Sequence, residues 1–78
     1  MLRTNWFIVV HAVDQWWVDN EGHSFGPFDT RETAAAEALE YARRMGDPQR
    51  TSQIFWPDDE GKLVVVQELP AQQVAKLA

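Results

Sequence analysis

Cysteine is absent from this sequence, and that one absence removes disulfide frameworks, thiolate zinc sites, iron–sulfur clusters and cysteine nucleophiles together. Positive charge is scarce. Seven Lys and Arg stand against twelve Asp and Glu, a formal net charge of −5. Affinity for nucleic acid comes mainly from Lys and Arg displacing phosphate counterions, so this balance disfavours a nucleic-acid partner. Long apolar runs are missing too: no stretch approaches the roughly 20 apolar residues of a membrane span, and Met1-Leu2-Arg3-Thr4-Asn5 has no apolar core of signal-peptide length. The expectation is a cytoplasmic protein that does not engage a membrane.

Catalytic and metal-binding patterns are equally sparse. The two histidines, His11 and His23, are not at helical ligand spacing, and neither an H-E-x-x-H pair nor a calcium-binding loop occurs. Asp58-Asp59-Glu60-Gly61 is acidic, but consecutive acids lack the alternating ligand positions of a calcium loop and read as a solvated hairpin tip. No phosphate-cradling glycine loop is present, and neither Ser24 nor Ser52 sits in a nucleophile motif. The reading is of a protein that is not an enzyme and has no catalytic residues, cofactor or metal.

What is present is a short chain rich in strand-forming residues. Seventy-eight residues support one hydrophobic core and no second, and a core of that size is marginal enough that extra burial through oligomerisation is expected. Trp6-Phe7-Ile8-Val9-Val10-His11 and Gln15-Trp16-Trp17-Val18-Asp19-Asn20 read as two strands joined by the short turn Ala12-Val13-Asp14. Glu21-Gly22-His23-Ser24 and Gly26-Pro27 read as turn chemistry that ends this first hairpin.

A helix then begins at Asp29 or Thr30, either of which can cap, with Asp29 and Glu32 at capping-box spacing. Ala35, Ala38, Leu39, Ala42 and Met45 form one apolar stripe, flanked by Ala34 and Tyr41. Arg43 and Arg44 complement the helix C-terminus, and Gly46 followed by Pro48 stops it. Ser52-Gln53-Ile54-Phe55-Trp56 and residues 62–69 read as a second hairpin. Pro70 is suited to open a short C-terminal helix over 71–77. The expected fold is therefore α+β: a four-stranded, mainly antiparallel sheet in β-β-α-β-β order, with one helix on one face and a short terminal helix, in a single domain over 1–78 whose core spans 6–69.

One helix covers one face of a sheet, so an antiparallel sheet with a wet second face should alternate apolar and polar residues. Here both parities are apolar. Trp16 and Val18 share one face while Trp17 and Asp19 share the other, and Leu63 and Val65 oppose Val64 and Val66. Trp16, Val18, Leu63 and Val65 are expected under the helix. That leaves an interaction surface built on Trp17 and Val64, joined by Val66 and by Trp6, Phe55 and Trp56, through which the chain homodimerises or docks another protein.

Three other readings compete. The tryptophans could complete a core shielded by the C-terminal segment. They could form a stacking platform for bases, which would also need a cationic groove. Or Asp14, Asp19, Glu21, Asp58, Asp59 and Glu60 could present carboxylates to the basic cleft of another protein, as an inhibitor or decoy does.

Trp16-Trp17-Val18, Phe28-Asp29-Thr30 leading into the alanine-rich helix that ends at Gly46, and Gly61-Lys62-Leu63 opening the last strand together resemble a family of short bacterial domains of unknown function, over roughly residues 6–69. The resemblance implies the β-β-α-β-β order. It implies no activity.

Overall fold

The computed structural model describes residues 4–71, and the fold in them is α+β, a five-stranded mixed sheet with one helix. The strands are β1 (Asn5–Ala12), β2 (Gln15–Asn20), β3 (His23–Phe28), β4 (Ser52–Pro57) and β5 (Leu63–Leu69), with the helix α1 (Arg31–Met45) between β3 and β4. Their order across the sheet is β3-β2-β1-β4-β5. β1, β2 and β3 form an antiparallel meander; the chain then crosses over through α1 and lays β4 parallel to β1, and β5 returns antiparallel to β4. The C-terminal helix expected over 71–77 lies, beyond Ala71, outside the described residues. None of the described residues forms a helix long and apolar enough to cross a membrane.

Strand number and order correct the four-stranded expectation. His23–Phe28 is a strand, although Gly26 and Pro27 look like turn residues. It tolerates them because it lies at the edge, where a proline without an N–H removes no ladder bond. Trp16 pairs with Phe28 and Val18 with Phe25, so Gly26-Pro27 supplies the extra residue of a β-bulge. Gly26 takes φ 139°, and a Cβ there would lie 3.0 Å from the Trp16 carbonyl oxygen and 3.2 Å from Trp17 Cε3. Glycine is thus needed for both the backbone conformation and the space beneath the Trp17 ring.

The helix is capped by Thr30, whose Oγ1 accepts from the Thr33 N–H at 3.0 Å. Ala34, Ala35, Ala38 and Ala42 are buried, and these small side chains bring the helix backbone close to the sheet. Met45, expected on the apolar stripe, is instead 70% exposed at the last turn. Beneath the alanines lie Phe7 and Val9 of β1, Val18 of β2 and Ile54 of β4, all fully buried. Trp16, Phe25, Phe28, Trp56, Val66 and Leu69 pack around them from the same side of the sheet. Tyr41 closes one flank, stacked on Phe25 at 5.1 Å and edge-on to Phe7 at 6.0 Å.

One polar fastening holds the start of the helix, and another ties the loop that follows it to the turn between β2 and β3. At the helix start the Arg31 guanidinium lies 4.6 Å over the Trp56 ring and donates from Nη1 to the Pro57 carbonyl at 2.7 Å. Past its end Arg50 pairs with Glu21, and that hydrogen bond raises the Arg50 pKa above its ordinary value.

Candidate interaction surface

The face of the sheet opposite α1 is built by strict alternation. Since Phe7 and Val9 point to the helix, Trp6, Ile8 and Val10 point away from it. Pairing carries this parity outward: Ile8 is opposite Asp19 on one side and Phe55 on the other, Val10 is opposite Trp17, and Phe55 is opposite Val65. Pro57 opposes Leu63 in the next row. The resulting patch combines Trp6, Ile8, Val10 and Trp17 with Phe55, Leu63 and Val65. Trp6 is 55% exposed, Leu63 47% and Val65 48%.

Its aromatic residues are held in place. Trp6 and Phe55 meet edge to face with centroids 6.5 Å apart, a geometry that the ring quadrupoles favour. Trp17 donates from Nε1 to the Ala12 carbonyl at 3.0 Å, while its ring lies over Gly26. Charge is confined to the margin. Asp19 accepts from the Ser24 hydroxyl, and Glu68 stands beside Gln53 at the opposite corner.

Of the six residues expected on the interaction surface, Trp6, Trp17 and Phe55 are together on this open face. Trp56, Val64 and Val66 are not. Trp56 and Val66 pack against the core, and Val64 is the register partner of Trp56 on that same side. The expectation had the last strand turned over, with Leu63 and Val65 under the helix.

The reason is physical. Where both parities of a strand are apolar, the pattern does not say which one the helix covers; the pairing to the buried centre does. Half of the answer was nevertheless available, because residues paired across a two-stranded hairpin share a face. Reading 57–61 as its loop pairs Trp56 with Lys62 and Phe55 with Leu63, which makes one set of Phe55, Leu63 and Val65 and another of Trp56, Val64 and Val66. Ile8 and Val10 were missed because the run Trp6-Phe7-Ile8-Val9-Val10 carries no alternation at all.

The other candidate groups are dispersed. His11 stacks on Trp16 at 4.5 Å, on the helix side, while His23 begins edge strand β3. Asp58 organises the hairpin loop, its Oδ1 accepting from the N–H groups of Glu60 at 2.8 Å and Lys62 at 2.9 Å. No group of three or more His, Cys, Asp or Glu among the described residues is arranged to hold a metal ion. No family model matches the chain, and no curated protein and no solved structure matches it either.

Proposed function

We propose that this chain is a noncatalytic protein-interaction module that docks a protein, in the first instance a second copy of itself, through the open face of its sheet. The observation that carries the reading is the composition of that face: seven apolar side chains in register, three of them about half exposed or more, with acids only at the margin. Enrichment in aromatics and exclusion of charge from the centre is the composition of a protein interface rather than of an ordinary wet surface. The four strands that carry these residues, about 4.8 Å apart and about six residues long, present a footprint of roughly 400 Å², within the range of apolar patches that are often functional. Two such faces pack as aligned sheets about 10 Å apart.

Trp6 is the residue that tests this, because it is the most exposed aromatic on the patch and carries no hydrogen bond that a substitution would break. Light scattering over a dilution series should give the wild type as a multiple of the chain mass and Trp6→Glu, still folded by circular dichroism, at half that multiple. A wild type that runs at the mass of a single chain across the series removes self-docking.

A further inference from the structure

The two edges of the sheet are not alike. Both edge strands are bulged, but β3 also carries Pro27, which has no N–H to offer a further strand, whereas β5 has no proline from Leu63 to Leu69. β5 carries Leu63-Val64-Val65-Val66, and among the described residues nothing pairs with its outer side. Alongside this edge, between β5 and the helix, runs a shallow apolar groove lined by Glu32, Ala35, Ala36, Leu39, Trp56 and Val66. An unpaired strand with an apolar groove between it and a neighbouring helix is the receptor geometry for an added strand: main-chain bonds form along the edge and alternate side chains drop into the groove.

We propose that β5 receives the β5 strand of a second copy, antiparallel, across a two-fold axis through Val64. This goes beyond the open-face reading, since it uses the edge of the sheet and not its face. The register follows from three constraints. A two-fold normal to the sheet pairs residues that point to the same face, so it passes through a residue and not between two. The β-bulge of β5 falls at Val66, where Ile54 pairs with Gln67 but Phe55 pairs with Val65, leaving residues 63–65 as the regular stretch between the hairpin loop and the bulge. The middle of that stretch is Val64.

In this register Leu63 faces Val65 of the second copy and Val65 faces Leu63, so the two half-exposed side chains of β5 cover each other. On the helix side Lys62, just ahead of the strand, falls beside the bulged Val66 of the other copy, its stem along the groove and its ammonium toward Glu32, whose carboxylate also pairs with Arg31 at 3.5 Å. The Lys62–Glu32 ion pair forms twice by symmetry.

The cysteine-free chain makes the register directly testable. Residues opposed in an antiparallel pair have Cα atoms about 4.5–5.5 Å apart, within the range of a disulfide, whereas residue 63 of one copy and residue 63 of the other would be roughly 8 Å apart, as would the two copies of residue 65. Leu63→Cys and Val65→Cys are prepared separately, oxidised alone and as an equimolar mixture, and read by non-reducing electrophoresis. The mixture is expected to give at least tenfold more disulfide dimer than either variant alone, and to keep doing so when both carry Trp6→Glu, because Trp6 is separated from β5 by the whole of β4. A mixture with no excess over its components overturns the proposal and gives the edge to some other extended segment. Loss of the excess on adding Trp6→Glu also overturns it, by assigning the contact to the open face.

Discussion

The two faces of this sheet contain similar amounts of apolar side chain and use it oppositely. On the helix side Phe7, Val9, Val18 and Ile54 have no exposed surface, and four alanines close over them. On the open side Trp6, Leu63 and Val65 keep about half of theirs. Residue type does not make the difference, since valine and aromatic residues occur on both faces. What separates them is whether something lies close enough to exclude water, and a helix lined with Ala34, Ala35, Ala38 and Ala42 can sit close. The first face is therefore where the stability of the fold resides, and the second is where substitution should alter association more than folding.

Truncation separates the faces most sharply. Phe7→Ala should lower the free energy of unfolding by about 3–5 kcal/mol, the usual cost of emptying a fully buried aromatic site, and in a chain this short that consumes a large share of the total. Trp6→Ala, one residue along the same strand, should cost well under half as much, read from urea midpoints at a concentration where both variants are monomeric. Equal losses would mean that the open face is core as well. Overpacking gives the next largest effect. Ala38 is fully buried, so Ala38→Leu must push α1 off the sheet or force strained rotamers, at a cost of about 1–3 kcal/mol. A comparable enlargement on the open face, Val65→Leu, should change stability by less than about 0.5 kcal/mol.

How much of this was legible in the sequence follows from where each signal is local. The helix was, because Thr30, the alanine spacing and Gly46 are cues read within a few residues of one another. The Trp16/Trp17 parity was legible as well, since Val18 and Asp19 continue it with one apolar and one charged residue. β3 was not. Gly26 and Pro27 argue against a strand unless the segment is known to be an edge, and edge position is a property of the whole sheet. The parallel pairing of β1 with β4, which decides that Phe7 and Ile54 form the centre, joins segments about 47 residues apart and leaves no trace in either. The face of β5 depended on that pairing, so half of the expected surface residues were placed on the wrong side.

The one expected gain in stability bears on what keeps Trp16 and Trp17 on their separate faces. Ala12 pairs with Gln15 across a two-residue turn in which Val13 has φ 53° and Asp14 φ 61°. Such a turn matches the twist of a hairpin, but it favours Asn-Gly, and a β-branched residue at positive φ is strained. Val13 recovers little by burial, being 86% exposed. A slip of one residue at this turn would exchange the two tryptophans between core and open face, so the turn helps to set which aromatic ring is presented. Replacing Val13-Asp14 with Asn-Gly removes the strain while preserving the register, and should raise stability by about 1 kcal/mol, seen as a higher urea midpoint with an unchanged slope. Association through the open face should be unaltered, because the substitution touches neither Trp6 nor Trp17. A gain in stability accompanied by lost association would show that Val13 itself belongs to the contact.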